Sequence, residues 1–262
     1  QADILITEST YGYRLHKDTT ASEDELLDVV IGTCVNKGGK LIIPSFSVGR
    51  TQEVVYSLNN FFNQGRLPKV EIFVDSPLSV NATSVFRMHP ECFNREVLEV
   101  MENDPDPFGF NSLTYITRVE DSKKLNDYKK PCVIISASGM MEAGRVKHHL
   151  ANSISDPRNS VLAVGYCAPS TLGARILSGV PEVSIHGTVH KVKAEIKKID
   201  SFSGHGDYME MIDFLNCQDK KKLEKTFLVH GEYETQKNYA QKLQGEGFDN
   251  IEIPSPKQEF TL

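Results

Sequence analysis

The chain has 262 residues, of which 39% are hydrophobic and 24% are charged, and it carries a formal net charge of −6. This composition is ordinary for a globular protein with one large or two interleaved domains, and it argues against a disordered chain. The negative charge also argues against broad nonspecific affinity for nucleic acid, although a local basic groove remains compatible with it.

The cysteines and the apolar runs limit the setting in which the protein works. The five cysteines are scattered, odd in number and free of any Cys-x-x-Cys pair, so neither a disulfide framework nor a thiolate zinc site is indicated. A reducing, cytoplasmic setting fits best. No apolar run reaches the roughly 18 residues of a membrane-spanning helix, so no membrane partner is expected.

The first predicted element is a strand over residues 4–6, which is as apolar as a buried central strand. A chain that opens so abruptly inside a strand is expected to be a piece of a longer protein. A helix is predicted next, because Ser22 and Glu25 form a capping box and an apolar face follows until Gly38 stops it.

Strands and helices are then predicted to alternate along the chain. Strands are predicted over 41–43, 70–74, 113–116, 132–135 and 161–164, and helices over 50–62, 79–101, 122–128 and 143–153. This order indicates an α/β fold whose mostly parallel sheet is flanked by helices on both faces. Ligands of such sheets bind beyond the carboxyl ends of the strands.

Small polar residues follow several of these strands, directly before a helix start. The loops concerned are residues 8–12, 44–50, 75–77, 136–140 and 165–167. Hydroxyl and amide groups at helix N-termini bind anions, and arginines add charge-assisted contacts. The candidate RNA-phosphate contacts are Ser45, Arg50, Ser136, Ser138, Gly139 and Arg145. For any single loop, ordinary caps and turns explain the residues better, but five such loops at one edge favour a phosphate-binding edge.

The last third of the chain has a different pattern. Apolar residues from Val183 to Ile199 alternate loosely around His186 and Gly187, which predicts an antiparallel hairpin ending at the His205 loop. A helix near 209–215, a strand over 226–229, a helix over 234–243 and a strand over 251–253 complete the chain. This stretch is predicted to belong to a second sheet.

Two histidines in this region are flanked by glycine. His205 lies in Phe-Ser-Gly-His-Gly-Asp and His230 in Leu-Val-His-Gly-Glu, so little side-chain bulk separates either imidazole from a bound group. Such histidines are typically reactive or metal-binding. Two are too few for a catalytic zinc ion, which normally takes three or more protein ligands, so the site is partial or is completed from elsewhere.

The ordered motifs of the chain resemble the β-CASP branch of the metallo-β-lactamase superfamily, which includes RNA-cleaving nucleases such as the cleavage and polyadenylation endonuclease subunit. The motifs that carry the resemblance are Glu-Ser-Thr-Tyr-Gly (8–12), Pro-Ser-Phe-Ser-Val-Gly-Arg-Thr-Gln-Glu (44–53), Asp-Ser-Pro-Leu (75–78), Ser-Gly-Met-Met (138–141) and the two glycine-flanked histidines. The resemblance implies a β-CASP domain over 13–203, inserted into a metallo-β-lactamase-like αββα domain. Residues 1–12 would be the last strand of that domain's N-terminal part, and 204–262 its C-terminal return.

The resemblance also implies a role for each of three residues. Glu8 corresponds to the acidic residue that orients the catalytic histidine, although alone it is equally a cap for the next segment of the chain. His205 corresponds to the histidine that gives a proton to the leaving oxygen. His230 corresponds to a ligand of one of two zinc ions. Asp207 is predicted to cap the following helix. His148 and His149 follow Arg145 on a predicted helix and either approach RNA or are ordinary surface or packing residues, whereas His16, His89, His186 and His190 show no ligand spacing.

One large departure from the family accompanies these matches. The motif His-x-His-x-Asp-His, which supplies most of the family's zinc ligands, is absent from the chain. We therefore expect the longer parent to be a zinc-dependent ribonuclease with two zinc ions. The chain alone is expected to bind zinc weakly or not at all and to leave RNA intact.

Two other function classes remain open. One is a noncatalytic RNA-binding or scaffold protein of the same fold, against which the intact Glu8, His205 and His230 argue. The other is a small-molecule hydrolase, which the large inserted α/β domain disfavours. RNA is the expected partner, a homodimer stays an open possibility, and the sequence does not separate endonucleolytic from exonucleolytic cleavage.

Overall fold

The computed structural model describes residues 1–16, 19–200 and 202–261; for residues 19–22 it describes the backbone alone. It divides into two compact units. The smaller unit comprises Gln1–His16 and His205–Leu262, and the larger comprises Lys17–Gly204. The assignment of residues 1–12, 13–203 and 204–262 to parts of two family domains stays a prediction.

Strands and helices alternate through most of the described chain. The strands are β1 (Ile4–Glu8), β2 (Lys40–Pro44), β3 (Glu71–Asp75), β4 (Leu113–Ile116), β5 (Cys132–Ser136), β6 (Ser160–Ala163), β7 (Glu182–Ile185), β8 (Thr188–Lys191), β9 (Glu195–Lys198), β10 (Lys225–Val229) and β11 (Ile251–Glu252). The helices are α1 (Thr19–Val30), α2 (Arg50–Asn63), α3 (Pro77–Met88), α4 (Arg95–Met101), α5 (Val119–Asp127), α6 (Val146–Ser153), α7 (Leu172–Leu177), α8 (Tyr208–Leu215) and α9 (Tyr233–Gly245).

The larger unit is built on a parallel sheet with helices on both faces. Within the described residues its strand order is β4-β3-β5-β2-β6-β9, and every neighbouring pair is parallel. Successive side chains of a strand point to opposite faces. Leu41 and Ile43 accordingly pack into one buried cluster with α1 and α2, while Ile42 packs into another with α6 and α7. The predicted α/β class, with a mostly parallel sheet between helices, is confirmed.

Adjacent strands β2 and β5 send their following helices to opposite faces of this sheet. Val54 of α2 belongs to the cluster on one face, and Val146 of α6 belongs to the cluster on the other. The loops after the two strands therefore diverge at the carboxyl edge. Such a divergence is the switch point at which open α/β sheets bind ligands.

Three predicted elements differ from the structure. The first helix begins at Thr19, ahead of the predicted cap Ser22, whose side chain lies outside the described residues. The predicted helix over 79–101 is two helices, because Pro90 lacks the N–H that a continuous helix needs. The predicted hairpin is limited to β7 and β8, whereas β9 pairs in parallel with β6 and so extends the large sheet, not a second one.

The smaller unit contains a second parallel sheet. Its described strands lie in the order β1-β10-β11, with α8 and α9 packed through Met211, Leu215 and Tyr239. Ile6 of β1 is 66% exposed, so β1 does not have the burial of a central strand in this sheet. No helix in the described part of the chain is long and apolar enough to cross a membrane.

Candidate functional site

The two parallel strands of the smaller unit bring Glu8 and His230 to one edge of their sheet. Glu8, the last residue of β1, is paired with Val229, the last residue of β10. His230 follows directly, so the residues that end both strands lie side by side. Their proximity follows from parallel pairing, since the carboxyl ends of parallel strands share an edge.

The backbone around His230 is tightly constrained. His230 has a φ of 54°, in the left-handed region that residues other than glycine rarely adopt. Beside it, a Cβ atom on Gly231 would lie 2.9 Å from the backbone oxygen of Ser9. Only glycine fits at position 231, and an uncommon backbone conformation of this kind is often found at functional sites.

The loop that carries His205 is fixed by the start of α8. Asp207 caps this helix by accepting hydrogen bonds from the backbone N–H groups of Met209 and Glu210, at 2.9 and 3.0 Å. The Glu210 carboxylate in turn accepts from the Asp207 N–H at 2.8 Å, which completes a capping box. The predicted capping role of Asp207 is confirmed.

His16 holds the same loop from a second side. Its ring Nε2 lies 2.8 Å from the backbone oxygen of His205, and its backbone N–H donates to Asp207 Oδ2 at 2.9 Å. The His16 ring also packs edge-on against Tyr11, with ring centroids 5.0 Å apart. Sequence reasoning missed His16, because nothing in the spacing of residues 16 and 205 indicates that they meet.

Glu8, His205 and His230 form one cluster, which we name the histidine cluster. His205 Nδ1 lies 2.9 Å from Glu8 Oε2, and the rings of His205 and His230 are 5.0 Å apart at an angle of 34°. One ligand atom from each of the three residues lies within 4.8 Å of the others. The structure thus brings together the three site residues that the resemblance implies.

Thr10 connects two members of the histidine cluster. Its hydroxyl oxygen lies 3.0 Å from His230 Nδ1 and 2.9 Å from the His230 backbone oxygen. Its backbone N–H donates to Glu8 Oε2 at 3.3 Å. Sequence reasoning also missed Thr10, because it lies in the turn after β1 and nothing in the spacing of residues 10 and 230 indicates that they meet.

Two groups near the histidine cluster have shifted pKa values. Burial, reinforced by the Glu8 carboxylate, raises the pKa of the Tyr239 phenol, whose hydroxyl has no hydrogen-bond partner among the described residues. Burial opposes ionisation of Asp207, but hydrogen bonds from the Glu210, His16 and Met209 N–H groups lower the pKa of this carboxyl overall. Asp207 therefore caps α8 as a carboxylate at neutral pH.

The donor chemistry of the histidine cluster fits zinc. Zinc binds imidazole nitrogen and carboxylate oxygen, and catalytic zinc sites commonly use three protein ligands. The histidine cluster offers two imidazoles and one carboxylate, but the carboxylate is already engaged with His205. These three groups offer too few donor atoms for two zinc ions, because each ion needs its own set of ligands.

The predicted phosphate contacts lie at the carboxyl edge of the larger sheet. Ser45 and Ser136, each 1% exposed, have buried hydroxyls, and that of Ser136 donates to the Asp75 backbone oxygen at 2.8 Å. Ser138 and Gly139 are more accessible. A Cβ atom on Gly139 would lie 2.9 Å from the ring of Phe46, which is itself 47% exposed. We name the two segments that carry the predicted contacts, residues 45–50 and 136–145, the switch-point loops.

The two predicted arginines are engaged within the larger unit. Arg50 is paired with Glu53 and lies over the Phe202 ring, 5.8 Å from its centroid. Arg145 donates from Nη1 to Asp75 Oδ1 and from Nη2 to the Thr117 backbone oxygen, both at 2.7 Å. Both guanidiniums thus have structural partners, and their contacts with RNA stay a prediction.

Asp75 is the centre of a buried polar network. Its Oδ2 accepts from Ser122 and lies against His149 Nε2, at 2.6 Å in each case, while Arg145 holds Oδ1. Burial opposes ionisation, but the hydrogen bonds from His149, Ser122 and Arg145 lower the pKa of Asp75 overall. The network joins the end of β3 to α5 and to the start of α6.

Two comparisons with known proteins identify the family. Residues 51–176 match the Beta-Casp domain, and residues 189–254 match the Zn-dependent metallo-hydrolase RNA specificity domain. A ribonuclease of Thermus thermophilus is 35% identical over 233 residues, which cover 89% of this chain and 52% of the relative. An RNase J-like protein of Methanocaldococcus jannaschii is 34% identical over 233 residues, covering 88% of this chain and 52% of the relative.

Transcription termination factor FttA of Methanocaldococcus jannaschii is 33% identical over 238 residues, covering 88% of this chain and 37% of that protein. The chain therefore spans about half or less of the length of these relatives. The two domain matches and the relatives agree with the ordered motifs and the parallel sheet. The chain belongs to the β-CASP family of RNA nucleases.

Proposed function

We propose that the chain is part of a longer, zinc-dependent ribonuclease that hydrolyses RNA phosphodiester bonds. The observation that carries this proposal is the histidine cluster, in which a carboxylate, a hydrogen-bonded imidazole and a second imidazole meet at the ends of two parallel strands. The proposal is supported by relatives that are named as ribonucleases and of which this chain covers 52%.

Hydrolysis of a phosphodiester needs a proton for the departing oxygen, and His205 is the proposed donor. Glu8 accepts a hydrogen bond from His205 Nδ1 and so orients the ring, and Nε2 is the nitrogen proposed to give up the proton. His16 and Asp207 hold the backbone on either side of the ring, so the imidazole keeps one orientation.

His230 is the proposed zinc ligand of this chain. Bound zinc supplies an activated water and neutralises charge on the phosphoryl oxygens. The described residues bring too few donors together for two ions, so the remaining ligands are proposed to come from the longer parent. The 262-residue chain alone is accordingly proposed to bind zinc weakly and to leave RNA intact.

RNA is proposed to bind at the switch-point loops of the larger unit, through Ser45, Arg50, Ser136, Ser138, Gly139 and Arg145. The buried hydroxyls of Ser45 and Ser136 and the engaged Arg145 act mainly by shaping these loops. Ser138 and the backbone of Gly139 are the accessible polar groups, and Phe46 beside them offers a face for a base.

The proposal is tested by comparing the 262-residue chain with the longer parent on a labelled single-stranded RNA. We expect metal-dependent cleavage by the parent, loss of cleavage in its His205→Ala variant, and no cleavage by the chain alone. Metal content is measured in parallel. Tight binding of two zinc ions by the 262-residue chain, or unchanged cleavage by His205→Ala, contradicts the proposal.

A noncatalytic RNA-binding protein is the second candidate, because some relatives are named as transcription termination factors and not as nucleases. The ordered Glu8 and His205 pair argues against it, because RNA binding alone needs no oriented imidazole. Binding of RNA by the parent without cleavage at any metal concentration supports this second candidate.

A further inference from the structure

We propose that Thr10 is a positioning residue that fixes the tautomer of His230 and so presents Nε2 of that ring as its metal-binding atom. The inference rests on the proposed role of His230 as a zinc ligand. Thr10 is 7% exposed and its hydroxyl lies within hydrogen-bond distance of two atoms of His230. These two contacts, taken together, determine where the ring proton lies.

A threonine hydroxyl carries one hydrogen, and a carbonyl oxygen can only accept. The 2.9 Å contact between Thr10 Oγ1 and the His230 oxygen therefore uses the hydroxyl hydrogen. The 3.0 Å contact between Oγ1 and Nδ1 then has to be made by a hydrogen on Nδ1. Neutral His230 is thus held as the Nδ1–H tautomer, with the free lone pair on Nε2.

The opposite assignment has a physical cost. If the hydroxyl donated to Nδ1, the two oxygens at 2.9 Å would face each other with no hydrogen between them. That arrangement leaves the carbonyl oxygen facing a second oxygen without a hydrogen bond in a partly buried place. The Nδ1–H tautomer satisfies both contacts at once.

Two further hydrogen bonds hold the backbone of Thr10 and its neighbour Ser9 in place. Its backbone N–H donates to Glu8 Oε2, the same oxygen that lies 2.9 Å from His205 Nδ1. Ser9, which lies between Glu8 and Thr10 in the chain, donates a hydrogen bond from its hydroxyl to the Val229 backbone oxygen at 2.8 Å and so connects this segment to β10. Thr10 therefore links the orientation of the proposed proton donor to that of the proposed metal ligand.

The consequence concerns metal affinity. A zinc-ligating histidine generally donates its other ring N–H to a nearby acceptor, and removal of that acceptor typically lowers metal affinity about 10- to 100-fold. Thr10 Oγ1 is the acceptor that this geometry provides. Replacing Thr10 by valine keeps the side-chain shape but removes the hydroxyl, whereas serine keeps the hydroxyl.

The direct test is the ¹⁵N spectrum of histidine-labelled 262-residue chain, recorded without metal at about pH 8.5, well above the ordinary imidazole pKa of about 6.5. His230 is assigned with the His230→Gln variant. We expect wild type and Thr10→Ser to show His230 with a proton on Nδ1 and a bare Nε2. Thr10→Val is expected to move the proton of His230 substantially to Nε2.

Thr7→Val on β1 is the matched control, because it makes the same substitution and removes a hydroxyl contact with the Glu8 backbone oxygen, at 3.3 Å. It is expected to leave the tautomer unchanged. In the longer parent, zinc affinity measured by competition with a chelator is expected to fall about 10- to 100-fold in Thr10→Val, and far less in Thr10→Ser and Thr7→Val.

The proposal is overturned if wild-type His230 carries its proton on Nε2, or if Thr10→Val leaves the tautomer unchanged. Both readouts are independent of RNA cleavage. If the parent cleaves no RNA, the proposed function is contradicted but the tautomer result is unaffected. If His230 carries its proton on Nε2, the role of Thr10 is contradicted but the proposed nuclease function is unaffected.

Discussion

The Glu8 carboxylate and the His205 imidazole share one hydrogen bond, with 2.9 Å between Oε2 and Nδ1, and the two side chains are 30% and 35% exposed. The bond fixes the orientation of the His205 ring relative to Glu8. Partial exposure distinguishes this pair from the fully buried pair of Asp75 and His149.

Loss of the His205 imidazole is expected to slow RNA cleavage by the parent, because a positioned general acid contributes about 10²- to 10⁴-fold to a rate. His205→Ala is therefore expected to lower kcat by that factor while KM changes little. Glu8→Ala is also expected to lower kcat, but by a smaller factor. Steady-state kinetics on a labelled RNA checks both, with Glu234→Gln on α9, an exposed residue, as the control.

His16 is expected to matter for the rate without touching substrate. His16→Ala removes the hydrogen bond from its ring to the His205 backbone oxygen, so the His205 loop loses one of its two supports. Because displacement of a catalytic group by about 1 Å can cost about 10²-fold in rate, we expect kcat to fall at least 10-fold. Far-ultraviolet circular dichroism should show an unchanged fold. A wild-type kcat in His16→Ala contradicts the positioning role.

Periodicity predicts the sheet and most of its helices, because residues buried between two layers of helices alternate in a way that the sequence displays. Leu41, Ile42 and Ile43 are apolar in succession since both faces of β2 are covered. The hydrogen-bond partners of Asp75 cannot be predicted from such periodicity. His149 and Arg145 reach it from a distant segment, and only the packing of α6 determines that they do.

The histidine cluster shows the same limit. Glycines beside His205 and His230 mark those two residues in the sequence, whereas no glycine flanks His16 or Thr10, although Thr10 lies within the Glu-Ser-Thr-Tyr-Gly motif. The contacts of His16 and Thr10 depend on how the two ends of the chain meet in the smaller unit, which no local pattern encodes. A motif thus marks the candidate residues but does not show which side chains hold them in place.

Phe46 is expected to contribute to RNA affinity, because it is 47% exposed beside the switch-point loops. Stacking of a base on an aromatic side chain is worth about 1–3 kcal/mol, so Phe46→Ala should weaken binding of a short single-stranded RNA about 5- to 150-fold. Fluorescence anisotropy at fixed salt measures this. Phe214→Ala on α8, 77% exposed, is the control and should bind as wild type. If the two variants bind RNA with equal affinity, the RNA-binding site does not include Phe46.

Asp75 is expected to be important for stability. Asp75→Asn leaves the Arg145 guanidinium without its carboxylate, and removal of one partner from a buried pair typically costs about 3–5 kcal/mol. Urea denaturation is expected to show a fall in the free energy of unfolding of about that size. Asp121→Asn, whose exposed pair with Lys124 is solvent-screened, should cost far less. Equal losses in the two variants contradict the importance of the network.

The same carboxyl group predicts how stability depends on pH. The pKa of Asp75 is lower in the folded chain than the roughly 3.9 of an exposed aspartate, so its stabilising effect is fully present above about pH 4 and is lost as the pH falls further. Other carboxyls titrate in the same range, so the measured quantity is the difference in unfolding free energy between wild type and Asp75→Asn. That difference is expected to be largest near neutral pH and to shrink below about pH 4. A difference that stays constant down to the pH at which both proteins unfold would show that the ionised form of Asp75 contributes nothing to the network.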